Sequence, residues 1–245
     1  MPSLCYKIHD KMLFRLYNPI GRDLGRRDII KEMLKHSASR RRSAVTKTVF
    51  KLLGPIVVQL FGYPLGMRRQ QRAMKVMEYL SPKPNMDILD FGCSKGYYAF
   101  ELGIRYDCKV LGFNVDREDI GLANRIKAIL KINTVTFTNK RPDSIKYGNF
   151  FDCILVSEVL EHIQDDGKTL RQLASLLKQN GRIVVTVPYA RNPKEYAKQH
   201  LKSTPCGHLR NGYNINLIKN RIKGTRLVLR SWTRCCRGLC LLVVL

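Results

Sequence analysis

The chain has 245 residues and a formal net charge of +25, from 44 Lys and Arg against 19 Asp and Glu. A hydrophobic content of 44% over this length is enough for a sizeable core, which excludes a disordered polyelectrolyte. A single tryptophan and the lack of any short period exclude collagen-like and solenoid architectures. The charge is uneven along the chain. Residues 1–75 hold 17 basic and 4 acidic residues, residues 76–190 hold 15 and 14, and residues 191–245 hold 12 and 1. The expected organisation is therefore a basic, helical N-terminal extension or lid (1–75), a folded domain (76–220) and a basic, cysteine-rich C-terminal segment (221–245).

Lys7, His9, Asp10 and Lys11 interrupt any apolar run near the start, so no secretory signal is expected. The eight cysteines are then read as reduced thiols of a cytoplasmic protein. Cys235, Cys236 and Cys240 cluster as CCRGLC, without the second ligand pair that a zinc site needs, and no metal site is assigned. LLGPIVVQLFGYPLGM (52–67) is too short to span a bilayer and contains two prolines. Flanked by Lys51 and by Arg68 and Arg69, it reads as a packing lid, with an anionic membrane surface as the other option.

The centre alternates strand and helix. MDILDF (86–91) is a first strand, followed by a helix over 96–106 with Tyr97, Phe100 and Ile104 on one side. KVLGFNV (109–115) is a second strand ending at Asp116. A helix over 117–132 places Ile120, Ala123, Ile126, Ile129 and Leu130 on one face, with Glu118 and Asp119 at its positive N-terminus. TVTFTN (134–139) and FFDCILVS (150–157) are the third and fourth strands, the latter continuously apolar as a strand buried on both faces must be. A helix within 159–179 carries Leu170, Leu173, Leu176 and Leu177, stops at Asn180–Gly181, and gives way to a fifth strand, RIVVTVP. Repeated β-α-β predicts a doubly wound, mostly parallel sheet with helices on both faces, binding ligands at the carboxyl ends of its strands. TRLVLRSW (225–232) and LCLLVVL (239–245) are candidates for two final strands.

The turn after the first strand, ILDFGCSKGYYAFEL (88–102), carries the chemistry. Gly92 and Gly96 between a strand and a helix let the backbone turn sharply against a ligand, with free N–H groups beyond. A dinucleotide fingerprint would need glycines where Ser94 and Tyr97 stand, and no Gly-Lys-Ser/Thr follows for a phosphate loop. Asp116, 20 residues after Gly96, is placed to accept hydrogen bonds from both hydroxyls of a ribose. Its alternative role is an exposed helix cap.

Taken in order, DFGCSKG, NVD, FDCILVSEVLEHI and LKQNGRIVVTVP resemble the class I S-adenosylmethionine-dependent methyltransferases, a Rossmann-like family. The resemblance is to the small-molecule branch that includes quinone-biosynthesis O-methyltransferases, and it covers roughly residues 80–218. It implies S-adenosyl-L-methionine as cofactor. It also implies a pocket for the methionine end shaped by Asp90, Phe91, Gly92, Cys93, Ser94 and Gly96, and a ribose held by Asp116. Ser157 and Glu158 would line the opposite wall. GHLRNGYN (207–214) is similar to an element near the substrate entrance in that branch. Where relatives place an acid against adenine, this chain has Asn139.

A hydroxyl or acid acceptor needs a general base near the end of the fourth strand. His162 is the nearest histidine and Glu161 its neighbour; their alternative roles are packing and a solvated helix face. His208, Tyr213 and Tyr189 are further candidates to touch substrate. The function expected is methyl transfer to a small-molecule or lipidic acceptor, with peripheral contact to an anionic membrane. Two competing readings are an RNA-modifying methyltransferase and a non-catalytic membrane-surface protein that keeps a nucleoside-binding fold. Nucleic acid is the weaker partner, because S-E-V-L follows the fourth strand where a base-amine motif would stand.

Overall fold

The computed structural model describes residues 67–141, 150–194, 207–235 and 238–244. Residues 1–66, which hold most of the basic N-terminal extension and all of the apolar segment 52–67 but Met67, lie outside them, as does Cys236. Met67–Lys127 and Ile132–Leu245 form one compact unit. The described helices are α1 (Met67–Leu80), α2 (Tyr97–Arg105), α3 (Arg117–Leu130), α4 (Asp166–Ser175) and α5 (Ile215–Ile222). Its strands are β1 (Asp87–Phe91), β2 (Lys109–Phe113), β3 (Val135–Thr138), β4 (Phe151–Ser157), β5 (Leu177–Pro188), β6 (Val228–Cys235) and β7 (Gly238–Val244).

The strands form one seven-stranded sheet in the order β3-β2-β1-β4-β5-β7-β6. The pairs from β3 to β5 are parallel, and β7 runs antiparallel to both β5 and β6. This is the expected doubly wound, Rossmann-like α/β fold with an antiparallel edge. The strand order reverses between β1 and β4, so their carboxyl ends flank the crevice where such sheets bind ligands. Ile154, Val156, Ile183, Val185 and Val187 pack with Leu170, Leu173, Ile218 and Ile222 in one core. At the amino end of the sheet, Lys178 Nζ bridges Asp87 and Asp152 at 2.7 and 2.9 Å and ties β1 to β4.

Several elements differ from the sequence expectations. In α2 the buried residues are Ala99, Phe100, Glu101, Leu102 and Gly103, and Ile104 is 38% exposed. Gly103 is what lets that face approach β3, since a Cβ there would meet Val135 at 2.4 Å. The single helix expected over 159–179 is a 3-10 turn, Leu160–His162, followed by the shorter α4 capped by Asp165. β5 starts at Leu177 and slips register between Phe151 and Cys153 of its partner, so Asn180–Gly181 lies inside an irregular strand rather than ending a helix.

The expected boundary at residue 75 falls inside α1, whose Ala73, Val76 and Leu80 are buried. The boundary at 220 falls inside α5. β7 is no appendage: Leu239, Leu241 and Val243 are at most 2% exposed and belong to the main core. Leu241→Ala is therefore expected to cost about 2–5 kcal/mol in urea denaturation. A loss below about 0.5 kcal/mol would mean that this strand does not complete the core.

Candidate active site

β1 ends in Asp90 and Phe91, and the chain then turns on Gly92 (φ 85°) and Gly96 (φ 84°) into α2. The backbone N–H groups of Gly92 and Cys93 both donate to Phe113 O, at 2.8 and 2.9 Å, which fastens this turn to the end of β2. Positive φ and close contacts restrict both positions to glycine, since a Cβ on Gly92 would lie 2.3 Å from Val159 and one on Gly96 2.5 Å from Phe137. Phe91 stacks on Phe113 with centroids 5.0 Å apart, and the Cys93 thiol is pushed up by burial, with Asp90 and Asp119 adding to it. Neither is an open ligand surface. Asp90 is 2% exposed, and burial raises its carboxyl to about 7 against the pull of the Ala99 N–H. Its Oδ2 has no hydrogen-bond partner in the protein. A buried acid of this kind is costly unless a cationic group reaches it.

The wall opposite is the end of β4. Ser157 Oγ and Thr186 Oγ1 lie 2.9 Å apart, and Ser157 also bonds the Tyr98 hydroxyl, whose pKa burial raises. Glu158 turns out of the strand at φ 56° and donates its N–H to Thr186 O at 2.8 Å. Its carboxylate accepts from Thr186 Oγ1 at 3.3 Å and pairs with Arg72 Nη1 of α1 at 3.2 Å. The sequence reading missed Arg72, one of 17 cations in the first 75 residues, with nothing local to single it out. Thr186 had a signal, a lone hydroxyl in an apolar strand.

Beyond β4 the 3-10 turn carries Glu161 and His162. The expectation that Glu161 lies on a solvated helix face is corrected: it is 1% exposed, and burial is the main reason its carboxyl rises to about 8. Its Oε2 has no hydrogen-bond partner in the protein. His162 is exposed and meets His208 edge to face, centroids 4.8 Å apart at 88°. One ligand atom from each of Glu161, His162 and His208 lies within 4.8 Å of the others, a donor set that a divalent cation can share.

His208 is brought there by a buried clamp. Arg210, 2% exposed, donates to Asp166 Oδ2 at 2.5 Å, to Leu160 O at 3.0 Å and to Gln164 O at 3.2 Å. Tyr213 Oη joins Asp166 at 2.8 Å, and Arg221 pairs with its other oxygen at 2.8 Å. The Leu209 N–H then donates to Glu161 O at 2.8 Å. Tyr213 is fully buried in this network and does not face a substrate. Tyr189 sits under Arg234, 4.2 Å from the ring centroid.

Residues 66–221 match the methyltransferase domain family. The chain belongs to that family. It is 30% identical over 134 residues to a ubiquinone biosynthesis O-methyltransferase of Aeromonas salmonicida, covering 49% of this chain and 52% of that protein. It is 29% identical over 123 residues to phosphoethanolamine N-methyltransferase 3 of Arabidopsis thaliana, covering 48% of this chain and 24% of that one. The chain thus spans about half or less of the curated relatives it matches. A solved S-adenosylmethionine-dependent methyltransferase from Mesorhizobium loti shares the fold, with a TM-score of 0.59 at 12% identity over 71% of this chain and 98% of that one.

The cofactor that this family implies, S-adenosyl-L-methionine, has chemistry that suits the site. Its methionine end carries an ammonium and a carboxylate. Asp90 Oδ2 is a buried carboxyl oxygen without a hydrogen-bond partner in the protein, and the Arg72–Glu158 pair offers both signs beside it. Other expected cofactor residues stand apart from this wall. Asn139 is exposed one residue beyond β3. Asp116 is exposed, and its Oδ1 takes the N–H groups of Glu118 and Asp119 at 2.8 and 3.3 Å, so it caps α3.

The raised pKa of Glu161 makes a stability prediction. Folded protein holds this proton up to about 8, whereas the unfolded chain loses it near 4.5, so stability falls as pH rises between the two. Glu161→Gln removes that loss. Its Tm advantage over the parent should grow from pH 5 to pH 8, as read by differential scanning fluorimetry; a constant offset would contradict the burial of an ionisable Glu161.

Proposed function

We propose that this methyltransferase-family protein transfers the methyl group of S-adenosyl-L-methionine to a small-molecule or lipidic acceptor whose nucleophile must first lose a proton. The observation that carries the reading is the pairing of two sites on one sheet edge: the glycine turn with its unpartnered Asp90, and the Glu161–His162–His208 cluster beyond β4. When bound, the cofactor supplies an electrophilic methyl on a sulfonium, and what remains for the protein is positioning and proton removal.

Asp90 would hold the ammonium, with Arg72 meeting the carboxylate and Glu158 keeping Arg72 in place. Ser157 would line the cleft with its hydroxyl held by Thr186. His162, solvent-exposed, would take the acceptor proton. His208 packs edge to face on it, and its own pKa is lowered by burial and by His162, which favours the neutral, acceptor form. Glu161, whose pKa of about 8 lies near neutrality, is the alternative base. The basic ends of the chain support peripheral docking on an anionic membrane, where a lipidic acceptor would be met, and the cysteine usage supports a cytoplasmic setting. No described helix is long and apolar enough to cross a membrane.

Isothermal titration with S-adenosylhomocysteine tests the cofactor half. The expected result is micromolar-range binding that Arg72→Ala weakens by about 1–3 kcal/mol, the scale of a lost charged hydrogen bond. No binding by the folded parent would refute the reading. A radiolabelled methyl-transfer assay on phenolic, amino-alcohol and prenylated acceptors tests the other half. His162→Ala should lower kcat by roughly a hundredfold or more. The same assay with a chelator separates proton removal by the side chains from a requirement for a divalent cation at the cluster.

A further inference from the structure

We infer that Asp119, not Asp116, holds the ribose hydroxyls of the cofactor, an assignment that rests on the cofactor reading above. β2 ends at Phe113, so the residue leaving the carboxyl edge of the sheet is Asn114, and Asp116 is two residues further out. Asp116 is exposed, and both of its bonds run from Oδ1 into the first turn of α3. Capping accounts for that carboxylate.

Asp119 has a different environment. Its Oδ2 accepts from Ser94 Oγ of the glycine turn at 2.9 Å and from Asn114 Nδ2 at the exit of β2 at 3.3 Å. It therefore joins the two segments that leave the carboxyl ends of β1 and β2. Just beneath, the same segments are joined by the Gly92 and Cys93 N–H groups on Phe113 O. Asp119 is half-buried and within electrostatic reach of the Cys93 thiol, whose pKa it helps to raise, so its charge is felt inside the turn.

A vicinal diol is a pair of O–H donors, which a carboxylate accepts with both oxygens in charge-assisted bonds. A carboxylate offers about four acceptor positions, and both bonds described for Asp119 fall on Oδ2. Asn114, at the strand end, is a neutral amide already donating to Asp119, and offers one acceptor oxygen. Asp119 lies in the first turn of α3, beside the N–H groups of the helix start. Asp116 acts one step back: it bonds the Asp119 N–H and so orients the residue that reads the diol.

The test compares S-adenosylhomocysteine with its 2′-deoxy analogue by isothermal titration on the full chain. The parent protein should prefer the ribose form by tenfold or more. Asp119→Asn should cut affinity for the ribose form by tenfold or more and reduce the preference to less than threefold. Asp116→Asn and Ser94→Ala should leave the preference intact, even where capping or loop order costs some affinity. If Asp119→Asn does not fold, as judged by its thermal transition, Asp119→Ser should show the same loss of preference. An Asp119 variant that keeps the preference, or that loses affinity for both ligands equally, overturns the assignment while the cofactor reading stands. A parent protein that binds neither ligand overturns both.

Discussion

Register in the centre of the sheet is the constraint on which the rest depends. Phe91 pairs with Phe113 on one side and with Val156 on the other, so β1, β2 and β4 run out at one level. The sheet reverses its order between β1 and β4, and the chains leaving that edge separate to leave a crevice. Each then turns on a residue with positive φ: Gly92 after β1 and Glu158 after β4. A slip of one residue in β1 would move Asp90 to the opposite face of the sheet. The polar groups of the site stand at the ends of strands whose central residues, Ile88, Leu89, Ile154 and Leu155, are apolar and fully buried.

A second constraint is electrostatic. Arg210 and Asp166 are each at most 2% exposed, and a buried charge is tolerated only when its partner and hydrogen bonds are complete. Arg210 is met by a carboxylate, two carbonyls and a phenol. Removing Asp166 alone would leave an uncompensated buried cation, whereas Asp90 and Glu161 are already acids with an oxygen lacking a protein partner. The Arg210–Asp166 pair fixes the segment that carries His208. Burial in both cases moves the carboxyls of Asp90 and Glu161 towards neutrality, where proton exchange is easiest.

The charge of the chain has a distribution that the fold explains in part. The last 55 residues carry a net +11, yet they supply α5, β6 and β7 to the same unit as the near-neutral centre. β7 is inserted between β5 and β6 with its apolar side chains in the core, and β6 forms the sheet edge. Arg226, Arg230 and Arg234 are exposed on or beside that edge strand. Cations along an edge discourage pairing with further strands, which gives those charges a role in the fold itself.

The sequence by itself determined the alternation of strands and helices from residue 86 to 188, the glycine turn and the parallel sheet. These rest on local rules: continuous apolar runs for buried strands, and glycines where φ must be positive. The resemblance to the methyltransferase family pointed to Asp90, Ser157 and Glu158, and nearness to the end of the fourth strand pointed to His162. What it left undecided involves contacts distant in the chain. That β2 stops at Phe113 and that the Asp116 carboxylate caps α3 is seen only in the fold. Glu161 reads as solvated until the 3-10 turn is seen to bury it. Arg72, Thr186 and His208 reach the site from α1, β5 and a segment 46 residues beyond His162. Tertiary structure decided these because burial, ion pairing and the approach of distant segments are set by packing, and no local pattern encodes which cation meets which acid.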